Sequence, residues 1–295
     1  MHYLAKVGAA FTMNKSDLRL AQAGDVEAQY RLYRTLYFSD KAEDVKEAAK
    51  WRKKAAEQGH ASAQNELADS YQGASWRLMA EGRFELGDSH LNEILVQNQK
   101  DFISWHTKAA EQGHRHSQYE LGNAYRLGDG LSKDMQEALR WYLKAAEQGY
   151  PLHQIQVAEI YKSGDGVPKN TKEALEWYLR AAEQGSEWAM IIIAAGLRNG
   201  ELPKNLKESL KWHLIMANEG QMDSQYCAGM MYLDGEGTPE SYIDAYAWLS
   251  LAKTQGHEFA DNELEALKPK MTNQQIADGQ ALAARHYDSI HKDCD

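Results

Sequence analysis

The sequence predicts an all-α fold, a right-handed α-solenoid of antiparallel helix pairs with a C-terminal capping helix. The first observation is a repeated phrase, "EALRWYLKAAEQG" ending at Gly149 and "EALEWYLRAAEQG" ending at Gly185. The second is its period, since glycines close such phrases at intervals of 35, 54, 36, 36, 35 and 36 residues. These glycines are Gly24, Gly59, Gly113, Gly149, Gly185, Gly220 and Gly256. A period of this length is typical of stacked helical repeats.

Each repeat is predicted to contain two amphipathic helices. The four-residue spacings in "L-G-x-x-Y" and in "W-x-x-x-A-A" place these residues on one face of a helix. Glycines such as Gly128 and Gly164, in "GDG", end the first helix because they adopt left-handed turn conformations. A tryptophan stands eight residues before each of the last six closing glycines, at Trp51, Trp105, Trp141, Trp177, Trp212 and Trp248. No repeat can bury its own apolar face alone, so neighbouring repeats must stack.

The register divides the chain into three regions: an opening segment at 1–24, the repeat array at 25–267, and a capping helix with its tail at 268–295. Thr272 and Gln275 form a capping box that starts the last helix. The one long interval places an 18-residue insertion near 73–96. Its apolar residues predict a short extra helix or a pair of turns, which either packs on its own repeat or contacts a partner.

The shared pattern "AxxxLGxxYxxGxGVxxDxxEAxxWYxKAAEQG" resembles the Sel1-like repeat, a relative of the tetratricopeptide repeat. The segment "GDGVPKNTKEALEWYLRAAEQG" is a specific match, and the resemblance covers about residues 25–267. It implies a non-enzymatic scaffold that binds a protein partner in its concave groove. Members of the family serve as signalling or envelope-assembly adaptors, and some bacterial members are immunity proteins that neutralise a secreted toxin. The ending "DAYAWLSLAKTQGH" is bacterial in style.

Composition points to a folded, acidic protein that binds other proteins. The formal charge is −10 and 43% of residues are hydrophobic, which argues against a nucleic-acid partner because phosphate binding needs a basic face. No run approaches the roughly 20 apolar residues of a membrane span. We expect a cytoplasmic protein, or a periplasmic one if a signal peptide has been removed. The two cysteines, Cys227 and Cys294, provide neither a disulfide framework nor a metal knuckle.

Motifs for catalysis are absent from the sequence, which has no nucleophile elbow, phosphate-binding loop or H-E-x-x-H helix. We therefore expect no enzymatic activity, cofactor or metal. The densest histidine group is His106, His114 and His116, but His114 shares its repeat position with His60 and His257. The rival hypothesis is an enzyme for a small polar substrate that uses groove groups such as His116 or Glu159. Self-association is a third possibility.

The partner is predicted to bind on the first helices, where positions three, six, ten and thirteen after the closing glycine form a stripe. By similarity to tetratricopeptide arrays, this stripe lines the concave groove. It is polar in the first complete row, which contains Asn65 and Asp69, and apolar in later repeats. The alternative for the apolar residues is simple core packing. The apolar residues of the stripe are Leu152, Ile155, Trp188, Ile191, Tyr226 and Met230.

A basic row, Arg126, Lys162 and Arg198, recurs at position thirteen of three successive repeats. It could hold an acidic peptide or a terminal carboxylate, or be ordinary solvated charge. Tyr119 on the stripe and Trp76 in the insertion complete the residues predicted to contact the partner.

Overall fold

The chain is helical throughout the part described by the computed structural model, residues 15–80 and 89–292; for residues 76–80 and 89–91 only the backbone is described. Two compact units divide it, residues 1–148 and 149–295. The helices of the first unit are α1 Lys15–Gln22, α2 Val26–Tyr37, α3 Ala42–Glu57, α4 Ala61–Ala80, α5 Ser89–Glu111, α6 Arg115–Leu127 and α7 Met135–Ala146. Those of the second unit are α8 Pro151–Ser163, α9 Thr171–Ala182, α10 Glu187–Asn199, α11 Leu206–Asn218, α12 Met222–Asp234, α13 Tyr242–Thr254, α14 Ala260–Leu267 and α15 Asn273–His291.

Within each unit the helices pack as consecutive pairs, which confirms the predicted fold class. In the first unit α2 packs on α3, α4 on α5, and α6 on α7; in the second, α8 packs on α9, α10 on α11, and α12 on α13. Helix α1 lies within the predicted opening segment. Successive pairs also contact each other through α3 and α4, α5 and α6, α9 and α10, and α11 and α12.

Local sequence signals set the ends of these helices. Asp134 begins α7 by accepting hydrogen bonds from the backbone N–H groups of Gln136 and Glu137. Gly128 and Gly164 end α6 and α8 in the left-handed conformation, with φ of 76° and 75°. Their predicted role as helix breakers is confirmed, because L-residues with a Cβ rarely adopt this conformation.

The core is built from the periodic residues. Trp141, Trp177 and Trp248 are buried, and the paired alanines beside them are almost completely inaccessible. A cation lies over the face of several indole rings; the Lys144 ammonium lies 4.0 Å from the ring centre of Trp141, and the Arg180 guanidinium 4.3 Å from that of Trp177.

Glutamines hold the two helices of a repeat in register. Gln118 lies buried on α6 and donates to the carbonyl of Ala110, at the end of the preceding helix, over 3.1 Å. Its own side-chain oxygen accepts from Gln148, the glutamine of "AAEQG", over 2.7 Å. The same glutamine pair recurs at 2.8 Å as Gln184 with Gln154 and as Gln255 with Gln225. This explains the glutamine in the repeated phrase, since it satisfies a buried polar group at a helix end.

The insertion lengthens two helices, which corrects the prediction of a separate short helix or pair of turns. α4 has 20 residues against 13 in α6, and α5 has 23 against 12 in α7. The two differences together equal the length of the insertion, so the added residues continue the existing helices. Trp76 lies in α4, but its side chain, like residues 81–88, is outside the part that the structure describes.

The C-terminal helix α15 packs along α13, as expected of a cap. Thr272 and Gln275 form the predicted capping box, with hydrogen bonds of 3.2 and 2.8 Å. His286 of α15 stacks on Trp248 with ring centres 4.1 Å apart. The cap therefore covers the last periodic tryptophan, which would otherwise face solvent.

Candidate functional site

Three large apolar side chains of the predicted stripe lie on the surface of the second unit. Leu152 in the first turn of α8 is 60% exposed, and Trp188 and Ile191, one turn apart on α10, are 62% and 42% exposed. Leu152 and Trp188 hold the same position in successive repeats. We call these three residues the apolar face. Their exposure differs sharply from that of the periodic tryptophans, which fill the core.

The apolar face is narrower than the sequence predicts. Ile155 is only 8% exposed, so its predicted surface position is wrong. The reason is that α8 buries residues on more than one side, among them Ile155, Val157 and Ile160. Tyr226 and Met230 on α12 are half-buried, because they pack against a core cluster built around α13 and α14. They contribute only part of their surface to the stripe.

Phe259 is an exposed aromatic residue that sequence reasoning missed. It follows α13 and lies outside the first-helix register on which the stripe was based. The Tyr226 ring stacks on His257 at 4.0 Å, and His257 meets the Phe259 ring edge-on at 6.0 Å. The sequence signal was the histidine that directly follows several closing glycines, whose shared repeat position served above only as an argument against a metal site.

The basic row is already paired with partners inside the protein. Lys162 Nζ lies 3.0 Å from the Glu159 carboxylate, and Arg198 Nε lies 2.6 Å from Glu236 Oε2. In the first unit, Arg126 Nε donates to the Tyr142 hydroxyl over 3.2 Å. The charges of Lys162 and Arg198 are thus compensated by carboxylates, which weakens the interpretation of the row as a receptor for an acidic peptide.

In two repeats, the tyrosine that follows the periodic tryptophan makes a hydrogen bond with a residue of the stripe. The Tyr142 hydroxyl donates to Asn123 over 2.7 Å, and the Tyr178 hydroxyl donates to Glu159. Tyr119, on the stripe, lies half-buried with its ring 5.5 Å from that of Tyr142. Burial raises the pKa of both buried tyrosines, and hydrogen bonding to Glu159 raises that of Tyr178 further. Sequence analysis missed this second row because it considered only the first helix of each repeat.

His213 holds the same position in α11 and has no such partner. Its side chain is buried, and no described group makes a hydrogen bond with Nδ1. Burial, followed by the positive charge of Arg198, lowers the pKa of His213 to about 4. Nearby on α12, burial raises the pKa of the Cys227 thiol. Both groups are therefore held neutral at pH 7.

In the first unit, the stripe residues Asn65 and Asp69 belong to a polar network that is buried except at Asp69. Asp69 Oδ1 lies 3.4 Å from His106 Nε2, and His106 Nδ1 lies 3.1 Å from the Ser117 hydroxyl. Ser117 donates to Asn65 over 2.8 Å. The network has the residue types of a catalytic triad, but Ser117 and His106 are both 0% exposed. No substrate can reach the hydroxyl, so the network links α4, α5 and α6 structurally.

The predicted polar row also borders a cavity of about 650 Å³ between α2, α3 and α4. Its walls include Tyr33, Tyr37, Arg34, Arg52 and Glu66. Glu66 accepts hydrogen bonds from the hydroxyl of Tyr30 over 2.9 Å and from Arg34 over 3.4 Å, and its carbonyl accepts from Arg52 over 3.2 Å. The charges around this cavity therefore largely compensate one another.

Metal ligation is not supported by the geometry of the described residues. His116 Nε2 lies 3.9 Å from Asp69 and 4.0 Å from Glu120. Within residues 15–80 and 89–292, no three histidine, cysteine, aspartate or glutamate side chains are placed to share an ion. Over the same residues, no helix combines the length and apolar character needed to cross a membrane.

The periodicity, the helix pairs and the glycine turns match a known repeat pattern. Sel1 repeats are recognised at residues 26–60, 80–114, 115–150, 154–186, 189–221 and 223–257, well over half of the chain. The chain belongs to the Sel1 repeat family. Sel1 repeats are typical of protein–protein interaction scaffolds.

Solved structures agree on the fold. A protective antigen from uropathogenic Escherichia coli, which has an SLR fold, aligns with 25% identity and a TM-score of 0.51, over 94% of this chain and 56% of the antigen. The Sel1 chain therefore spans little more than half the length of that relative. A Sel1 repeat protein from Oxalobacter formigenes aligns with 23% identity and a TM-score of 0.51, over 92% of this chain and 98% of its own.

An immunity protein from Pseudomonas aeruginosa is a more distant neighbour, with 20% identity and a TM-score of 0.28 over 66% of this chain and 74% of its own. A likeness at this level carries no information about the partner. No curated protein sequence matches the chain.

Proposed function

We propose that this Sel1 repeat protein is a binding scaffold whose protein partner docks on the apolar face of the second unit. The observation that carries the proposal is Trp188, a tryptophan with 62% of its surface exposed, whereas the periodic Trp141, Trp177 and Trp248 are buried. Folding does not require an indole at this position, since Asp223 occupies it in the next repeat. Exposed aromatic side chains of this kind are the usual anchors of protein interfaces.

Leu152 and Ile191 extend the contact beyond a single residue. Leu152 holds the repeat position of Trp188 on α8, and Ile191 lies one helical turn beyond Trp188, so a partner that lies along the stripe can contact all three. The half-buried side chains of Tyr226 and Met230 on α12 continue the apolar face at its edge. Truncating a central aromatic anchor weakens a typical interface by about 2 kcal/mol or more, which is about 30-fold in affinity.

This arrangement favours binding over catalysis as the function. In the network of Asp69, His106 and Ser117, the imidazole and the hydroxyl are closed to solvent, and Glu159, a candidate of the rival hypothesis, is engaged by Tyr178 and Lys162. The predicted immunity role against a secreted toxin and the predicted adaptor role differ only in the partner, so both stay predictions until the partner is known.

The test is capture of partners from the lysate of the native host, followed by mass spectrometry. Wild type is compared with a Trp188→Asp, Ile191→Asp double variant whose helicity is checked by circular dichroism. The matched control is Leu20→Asp, Leu127→Asp in the first unit, where the two side chains are 45% and 61% exposed. We expect one protein to be retained by wild type and by the control and lost from the double variant.

Two other outcomes would contradict docking of a partner on the apolar face. Equal capture by all three proteins would overturn the apolar face and direct attention to the insertion near 73–96 and to Trp76. A wild-type protein that captures only itself, with a doubled mass in light scattering, would instead indicate self-association.

A further inference from the structure

We propose that the partner segment that docks on the apolar face is basic, with apolar side chains flanked by lysine or arginine. This inference rests on the proposed function, because it specifies the chemistry of the partner at the same surface. It reverses the expectation, drawn from the basic row, that the groove holds an acidic peptide.

The negative charge of the protein is concentrated in the unit that carries the apolar face. Residues 149–295 contain 13 lysines and arginines against 22 aspartates and glutamates, a formal charge of −9 out of −10. Residues 1–148 contain 20 against 21 and are nearly neutral. A basic segment is therefore attracted to the second unit specifically.

The stripe of this unit offers no unpaired positive charge. Its two cations, Lys162 and Arg198, are each paired with a carboxylate, as described above. Exposed carboxylates flank the apolar face: Glu187 precedes Trp188 on α10, and Asp223 holds the position of Trp188 on α12. The Asp223 side chain is 86% exposed, and the His257 imidazole lies 3.7 Å from its carboxylate.

Further carboxylates surround the edge of the stripe at Tyr226. Burial raises the pKa of this phenol, the negative charge of Glu263 raises it further, and the positive charge of Arg198 opposes the shift. An acidic segment placed here would meet uncompensated like charges, and so would a second copy of this acidic unit.

Two synthetic helical peptides of about 18 residues, five turns, provide the test. They share leucine and tryptophan positions along one face, and all other positions are lysine in one peptide and glutamate in the other. Fluorescence anisotropy measures their binding to the full chain at about 50 mM and about 300 mM NaCl, which changes the screening length roughly from 14 to 6 Å.

We expect the lysine peptide to bind at least about ten-fold more tightly than the glutamate peptide at low salt, and the difference to shrink at high salt. Trp188→Ala, Ile191→Ala should weaken its binding by about ten-fold or more. Glu187→Gln, Asp223→Asn should weaken it about five-fold at low salt. The control is Glu173→Gln, Glu176→Gln on α9, which removes the same charge from the second helix of a repeat and should leave binding unchanged.

Three results overturn the inference in distinguishable ways. If the glutamate peptide binds as well as the lysine peptide and depends on Trp188, the apolar face is retained and the assigned charge is wrong. If the α9 control weakens binding as much as the change at Glu187 and Asp223, only the general acidity of the unit attracts the peptide. If neither peptide depends on Trp188 and Ile191, the proposed docking face itself fails.

Discussion

The buried imidazole of His213 predicts that acid destabilises the second unit. In the unfolded chain a histidine binds its proton near pH 6.5, whereas in the folded protein His213 does so only at about pH 4. The unfolded state therefore binds more protons between these values, and stability falls as the pH is lowered from about 6.5 towards 4. Well above pH 6.5 the imidazole is neutral in both the folded and the unfolded state, so His213 then causes no loss of stability.

The size of the effect follows from the shift. A displacement of about 2.5 pKa units corresponds to about 3 kcal/mol in total, of which about 2 kcal/mol is lost between pH 7 and pH 5. Because the side chain is buried, solvent screening does not reduce this figure greatly. In the next repeat Leu249 fills the same position, so a leucine is expected to fit in place of His213.

The assay is urea unfolding at pH 7 and pH 5, followed by circular dichroism, for wild type and His213→Leu. We expect the variant to gain about 2 kcal/mol relative to wild type on going from pH 7 to pH 5. The control Leu249→Ala changes a buried residue with no titratable group and should differ from wild type equally at both pH values. A His213 proton resonance that titrates near pH 6.5 in the folded protein, or a relative stability that does not change, would refute the reasoning.

Three further predictions concern the local structure. Gly237→Ala should lower the free energy of unfolding by several kcal/mol, because φ is +77° and a Cβ would lie 2.3 Å from the Leu206 carbonyl oxygen. Gly200→Ala should cost only about 1–2 kcal/mol, since φ is +87° but nothing lies within 4 Å; equal losses in urea unfolding would contradict the steric argument. Thr272→Ala should lower stability by about 1 kcal/mol through loss of the capping box, and Thr272→Ser should restore it, both measured by thermal melts. Ser117→Ala should cost about 1–3 kcal/mol because it leaves buried partners without a hydrogen bond, although alanine fits this position in other repeats; an unchanged denaturation midpoint would show that the network is not stabilising.

The insertion shows where reasoning from the period reached its limit. The spacing located the added residues and fixed their number, because one interval of 54 residues departs from five others of 35 or 36. It could not show whether they form a new element, since a helix can absorb extra turns without any change in pattern. The structure shows that α4 and α5 are simply longer.

The stripe shows a second limit. Helical geometry placed Leu152 and Trp188, both at position three, and Ile191, at position six, correctly on the surface. Position six is not exposed in every repeat, since Ile155 also holds it. Ile155 was misplaced because the sequence does not reveal how many neighbours surround α8. The pairing of Lys162 with Glu159 could have been found from their three-residue spacing, whereas Glu236 reaches Arg198 from a different repeat.

The sequence by itself determined the fold class, the register of the repeats and, outside the insertion, the ends of the helices. These depend on local interactions, such as caps, glycine turns and the spacing of apolar residues, that recur in every repeat and therefore reinforce one another. Only the tertiary structure decided which stripe residues are exposed and which charges are compensated. Exposure and ion pairing depend on side chains from helices distant in sequence, and no periodic pattern specifies those neighbours.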